Sequence, residues 1–343
     1  MSLPKTYKVQ IFEEKGKPLV EKELELKPPP AGEVLAKVLA CGVCHSDELV
    51  KHGGFGNPIP MVPGHEVIGD IVAVPDGEKT WKVGDRVGGA WHGGHDGTCK
   101  ACKRGLFQMC SNEQINGVTR YGGYAEYVYI RSEAAVPIPK EVDPAEFAPL
   151  LCAGVTVFNS LRKQGITLGD TVAIQGLGGL GHLALQYTSK MGYRTVAISS
   201  SDSKRDFAKK LGAHDYIDGS KGDIGEQLKK LGGASCILLT APSEKLVPQL
   251  MNGLGILGKL VILAAIPTPV PVNTASMIGQ GWSIVAWPSG HALDSEEAIS
   301  FAQVHDVNCM IEKFPLEKAN EALDHMNSGK VRFRGVLIPG YKG

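Results

Sequence analysis

The chain has 343 residues, 43% hydrophobic and 21% charged, which gives enough apolar material for two domain cores and excludes both a disordered chain and a small stapled module. Lys plus Arg and Asp plus Glu both number 36, so no net charge favours nucleic acid or an acidic membrane surface. The eight cysteines, at 41, 44, 99, 102, 110, 152, 236 and 309, are bunched as metal ligands are rather than spread as a disulfide framework.

Met1 to Gly16 lacks the apolar core of a signal peptide, and the longest apolar run, near Leu260 to Ile266, is too short to span a bilayer, so a cytoplasmic protein is expected. Up to residue 150, β-branched runs such as Val34 to Ala40 and Val67 to Val74 alternate with Gly and Pro, which predicts irregular, mostly antiparallel β structure. From Thr171 the pattern changes. Apolar runs at Thr171 to Gln175, Arg194 to Ser199, Cys236 to Thr240 and Lys259 to Ala264 alternate with helical segments, which predicts an α/β domain on a doubly wound parallel sheet. The helix predicted over Gly179 to Met191 places Leu180, Leu183, Ala184 and Tyr187 on one face, towards the sheet. After Ser289 the regularity fades, and Arg332 to Ile338 reads as a strand returning to the first domain. The expected domains are therefore 1–152 with 288–343, and 153–287.

Gly176, Gly178 and Gly181, with Leu177, Gly179 and Leu180 between and beside them, form a GxGxxG turn between a strand and a helix, the Rossmann setting for a dinucleotide pyrophosphate. An NAD site needs a carboxylate at the end of the following strand to accept from the ribose 2′-hydroxyl. Here that strand ends in Ser199, Ser200 and Ser201, followed by Asp202, Ser203, Lys204 and Arg205, chemistry better suited to a 2′-phosphate. NADP(H) is thus favoured over NAD(H). The alternative is that Ser203 or Asp202 caps the next helix and that Lys204 and Arg205 belong to its solvated face.

In the first domain, Cys44-His45-Ser46-Asp47 precedes Gly64-His65-Glu66, and Cys152 stands just before the nucleotide half. Two thiolates and an imidazole give zinc three protein ligands and leave one position open, the catalytic arrangement. Singly, each of these residues would read as a packed small side chain or a satisfied polar group.

The segments GVCHSD, VPGHEVIG, CKACKRGLFQMC, GGYAEYV, LLCAGVT and GLGGLG occur in an order that resembles the zinc-dependent alcohol dehydrogenases of the medium-chain dehydrogenase/reductase superfamily, with Leu150 to Arg205 most similar to the cinnamyl-alcohol-dehydrogenase-like branch. The resemblance implies a GroES-like catalytic domain beside the Rossmann domain, and catalytic zinc on Cys44, His65 and Cys152 with Glu66 as an alternative ligand. It further implies that Asp47 orients His65, that Ser46 exchanges a proton with the substrate oxygen, that His45 and Arg334 lie near the cofactor pyrophosphate, and that Thr156 neighbours the nicotinamide. Asp96, Cys99, Cys102 and Cys110 match a structural zinc lobe in which relatives carry four cysteines, with His95 as the rival fourth ligand. Where the family often carries the outer histidine of a proton relay this chain has Leu49; His52 nearby is either a relay or a structural or surface histidine, and the alternative route runs from Ser46 through the cofactor ribose hydroxyl to water. The function expected is hydride transfer between NADP(H) and a primary alcohol/aldehyde pair. A polyol or specialised metabolite on the same scaffold is the alternative, and a noncatalytic nucleotide-binding protein a further one. The resemblance also implies a homodimer or homotetramer, with Trp282 to Trp287 as a candidate interface strand.

Overall fold

The computed structural model describes residues 3–342. They form two compact units, one running to Val155 and resuming over Gly290–Val304 and from Asn308 onward, the other comprising Thr156–Ser289 with His305–Val307. No helix among the described residues is long and apolar enough to cross a membrane.

The first unit is built on a seven-stranded, largely antiparallel sheet whose centre is the strand Glu33–Gly42, flanked by Val67–Ala73 and by the closing strand Arg334–Ile338. Val34, Leu35, Ala36, Val38, Ala40 and Cys41 of the central strand are all buried, so both of its faces are covered over most of its length, with an opening at the exposed Lys37. Its register slips between Val38 and Ala40 opposite Gly69 and Ile68, and the chain then turns at Val43 into the short helix His45–Lys51. The closing strand pairs Val336 with Gly42, which sets Arg334 beside Val43. Sheet pairing between segments almost three hundred residues apart therefore builds the ground under the first Cys-His motif.

The second unit carries a six-stranded parallel sheet, in spatial order Asp215–Asp218, Arg194–Ser199, Thr171–Gln175, Ala234–Leu239, Leu254–Ile262 and Ser283–Ala286. The chain thus fills third, second, first, fourth, fifth and sixth places, the doubly wound order, and reverses direction beside the strand that feeds the glycine turn. Two strands begin and end where predicted, Thr171–Gln175 and Arg194–Ser199. The strand expected over Lys259 to Ala264 instead runs Leu254–Ile262, since Leu254 already pairs with Ala234 across an irregularity in the register.

The helix Gly179–Lys190 forms as predicted, but the single apolar stripe is a correction. Leu180 is only half-buried, whereas His182, Leu185, Gln186 and Thr188 are buried along with Leu183, Ala184 and Tyr187. The helix is covered on more than its sheet face, as the contact of Phe158 with Tyr187 at 5.6 Å illustrates, and its polar members are satisfied by carbonyls of their own helix.

Candidate active site

Cys44 ends the extended segment that follows the central strand and caps the helix His45–Lys51. Its N–H donates to Asp47 Oδ2 at 2.9 Å, so the cap also fixes the direction of the Asp47 carboxylate. Cys152 follows the 3-10 turn Ala148–Leu151, and His65 and Glu66 immediately precede the strand Val67–Ala73. The ligand atoms of Cys44, His65, Glu66 and Cys152 all lie within 4.8 Å of one another, the two sulfurs 3.9 Å apart. Both ring nitrogens of His65 and both carboxylate oxygens of Glu66 are buried without a hydrogen bond of normal geometry. Buried polar atoms are rarely left so, and a set of thiols, imidazole and carboxylate converging on one point is what a zinc ion would satisfy.

The electrostatics agree. The contact with Cys152, helped by Arg334 and His65, holds the Cys44 thiol well below its ordinary range, and the same contact pushes Cys152 up. Burial opposes a charged His65, but Cys44 and Asp47 outweigh it and raise that imidazole. Burial pushes Glu66 up to about 8 against the pull of Arg334, whose Nη1 lies 3.3 Å from Glu66 Oε1 and also donates to the Val43 carbonyl. Asp47 Oδ1 stands 3.5 Å from His65 Nδ1 and accepts the Gly64 N–H, while Oδ2 accepts the Tyr124 hydroxyl at 3.0 Å. Ser46 Oγ receives the Cys44 thiol at 3.8 Å, and His45 is exposed. Thr156 lies half-buried in the helix Ala153–Arg162. His52, exposed, meets Glu48 at 3.1 Å, and Glu48 also accepts from Asn327.

The second cluster is local. Asp96, Cys99, Cys102 and Cys110 bring their ligand atoms within 4.8 Å of one another, with Cys99 Sγ 3.6 Å from Cys102 and 3.9 Å from Cys110. The carboxylate of Asp96 accepts from the Thr98 and Cys99 amides and from Asn112 Nδ2, and these donors hold it well below the usual carboxylate range. His95 is not part of this group. Its Nδ1 meets His92 Nε2 at 3.2 Å and its ring stacks on Phe107 at 4.1 Å.

In the second unit, Gly176 has φ +94°, and a Cβ on Gly181 would lie 1.9 Å from the Gly176 carbonyl oxygen, so the turn and the close helix–strand approach exclude side chains at both places. A Cβ on Gly178 would meet no protein atom within 4 Å, and no side chain caps the helix that starts there, which leaves open amides where a pyrophosphate fits. Lys204 Nζ donates to the Leu177 carbonyl at 3.3 Å, above this same turn. Ser199 ends its strand half-buried, Ser200 is exposed, and Ser201 and Ser203 share a hydrogen bond at 2.9 Å. Asp202 does not cap; it pairs with Arg205, whose guanidinium lies over Tyr216 at 4.7 Å. Sequence reasoning missed Tyr124 and His92: nothing in the spacing of either residue shows which way it faces.

The chain thus carries a β unit with a buried thiol–imidazole cluster and a doubly wound unit with an open glycine turn, the features of an oxidoreductase that works with zinc and a nicotinamide cofactor. Comparison with known proteins agrees: residues 30–140 match the alcohol dehydrogenase GroES-like domain and residues 179–303 the zinc-binding dehydrogenase family. The chain is 57% identical to the alcohol dehydrogenase patD of Penicillium expansum, over 97% of this chain and 98% of that one. It is 38% identical to an alcohol dehydrogenase of Geobacillus stearothermophilus, over 96% and 98%. A cinnamyl alcohol dehydrogenase structure from Sorghum bicolor superposes with a TM-score of 0.87 at 28% identity, covering 97% of this chain and 98% of that chain. The chain belongs to the zinc-dependent alcohol dehydrogenases of the medium-chain dehydrogenase/reductase superfamily.

Proposed function

We propose that this enzyme interconverts a primary alcohol and its aldehyde with NADP(H) in preference to NAD(H), and that Cys44, His65 and Cys152 hold its catalytic zinc, with Glu66 in reserve. Zinc bound there supplies a Lewis acid for the oxygen of the substrate. The rest falls to the chain. Asp47 orients the His65 ring, Ser46 takes or returns the proton of the substrate oxygen, and burial of the cluster keeps water from competing. Leu49 cannot carry that proton outward and His52 is engaged by Glu48, so neither side chain is proposed to relay the proton that Ser46 would hold at the substrate oxygen. Arg334, drawn towards Glu66, and His45 are proposed to face the pyrophosphate, and Thr156 the nicotinamide. Asp96, Cys99, Cys102 and Cys110 are proposed to hold a structural zinc.

The observation that carries the cofactor preference is Lys204, whose ammonium reaches the Leu177 carbonyl of the glycine turn from just beyond a strand end that offers serines instead of a carboxylate. Arg205, stacked on Tyr216, adds a second cation. The test is aldehyde-dependent oxidation of NADPH and NADH side by side, with benzaldehyde, cinnamaldehyde and hexanal, before and after chelation and zinc restoration. Lys204→Ala should raise KM for NADPH about tenfold, the worth of one charge-assisted phosphate contact, and leave NADH nearly unchanged. Equal effects on both cofactors would remove the preference.

We also propose self-association through the edge strand Ser283–Ala286. Its neighbourhood exposes Ile278 at 85%, Ile256 at 79% and Leu257 at 69%, apolar surface next to an unpaired strand edge. Ile278→Asp should lower the sedimenting mass, and an unchanged mass would point to a different face.

A further inference from the structure

Cys44 and His65 belong to different segments, the start of a short helix and a loop before a strand, and something must hold those two carriers in register. Asp47 is the visible link. It is fully buried, its Oδ2 accepts the Cys44 N–H, its Oδ1 accepts the Gly64 N–H at 3.3 Å, and it stands 3.5 Å from the His65 ring. Behind Asp47 stands Tyr124, also fully buried, whose hydroxyl donates to Asp47 Oδ2 at 3.0 Å.

The same tyrosine grips the His65 loop independently. Its N–H donates to the Pro63 carbonyl at 3.0 Å, and the neighbouring Gly123 N–H donates to the Gly64 carbonyl at 2.9 Å. Its ring lies directly on Gly64, where an added Cβ would come within 2.5 Å of Tyr124 Cδ1. One side chain therefore touches both carriers, the loop through its ring and the helix start through its hydroxyl. The residue reaches the cluster across 77 positions of sequence, so no local motif announces the contact.

We infer that Tyr124 is a positioning residue of the metal centre, which holds the Asp47 carboxylate and the Gly64–His65 loop so that the imidazole and the Cys44 thiol meet in ligating geometry. The inference rests on the zinc site proposed above. Without the hydroxyl, Asp47 Oδ2 keeps only the Cys44 amide as donor, and the carboxylate gains freedom to turn away from His65. Groups that orient a ligand from outside the metal sphere typically change metal affinity by about 10–100-fold, and one removed by a further bond belongs near the lower end of that range.

The experiment follows zinc release from the loaded full-length enzyme into excess 4-(2-pyridylazo)resorcinol, in the parent chain, Tyr124→Phe, Asp47→Asn, the double variant, and Cys152→Ser to identify which kinetic phase belongs to the buried cluster. Tyr124→Phe should speed that phase about tenfold and leave the phase of the thiol lobe unchanged. In the Asp47→Asn background the same change should add less than about twofold, because a residue acting through another gives a non-additive cycle. Cobalt replacement provides a second readout, a displaced thiolate-to-cobalt absorption band in Tyr124→Phe. Acceleration of both phases together, additive effects with Asp47→Asn, or release identical to the parent would each overturn the inference while leaving the zinc site standing. If Cys152→Ser removes no zinc from the chain, the site and the inference fall together.

Discussion

The two thiol clusters look alike in composition and differ in how the chain builds them. The lobe of Asp96, Cys99, Cys102 and Cys110 is assembled from fifteen consecutive residues and is partly open to solvent, with its carboxylate tied down by amides from the same loop. The cluster of Cys44, His65, Glu66 and Cys152 draws on segments as far as 108 residues apart and is almost wholly enclosed. A local loop can hold its shape wherever it is grafted, whereas the enclosed cluster exists only when the central sheet is formed and its charges are balanced. That balance is visible in Arg334, Asp47 and Tyr124, for which the lobe has no equivalent. The first arrangement suits a clamp and the second a reaction, since enclosure strengthens every electrostatic contact made inside.

The largest expected effect comes from breaking each cluster in turn. Cys152→Ser should lower turnover by roughly 10³-fold, the equivalent of several kcal/mol of lost charge stabilisation, while zinc analysis still finds the lobe's ion. Asp96→Ala should do the reverse, releasing the lobe's ion to a chelator that leaves the enclosed one in place and lowering activity only a few-fold at moderate temperature. If both variants lose both ions, the clusters are not independent and the contrast between them fails. Metal content and turnover measured on the same preparations decide it.

Legibility in the sequence follows the same divide. The strands Thr171–Gln175 and Arg194–Ser199 were readable to the residue because apolar runs between glycines and charged residues have few other uses, and the glycine turn announced its own geometry. The lobe's three thiols stand out by their spacing, since they are sequence neighbours, while its fourth ligand rested on the match to the family's lobe. The enclosed cluster was less legible: nothing local joins Cys152 to Cys44, so ligand chemistry offered the three as a set and family resemblance was needed to assign them to one ion. The direction of a ring was also beyond reach, so His95 could stand as a rival ligand until His92 and Phe107 were seen to hold it. The strand from Leu254 was expected to begin only at Lys259, because an unbroken apolar run does not show the irregular pairing before it, where Leu257 stands at φ +58°.

The smallest effect concerns the shoulder of the lobe. Glu113, whose amide donates to the Cys110 carbonyl at 3.1 Å, has a buried Oε1 with no hydrogen-bond partner, and burial pushes its carboxyl up to about 8 from an ordinary 4.5. The folded chain thus binds a proton that the unfolded chain gives up, so the neutral carboxyl's contribution is full below pH 4.5 and is lost as pH rises to about 8. Glu113→Gln, which cannot ionise, should leave thermal stability unchanged near pH 4.5 and raise it by about 2–4 °C at pH 8.5, a modest gain because the side chain keeps some contact with water. Scanning calorimetry across that range separates the outcomes: a uniform shift at all pH values would mean that packing, and not charge, governs this side of the lobe. The enclosed cluster offsets a buried carboxylate with Arg334, while the lobe's shoulder leaves one without a partner, and this variant measures that difference directly.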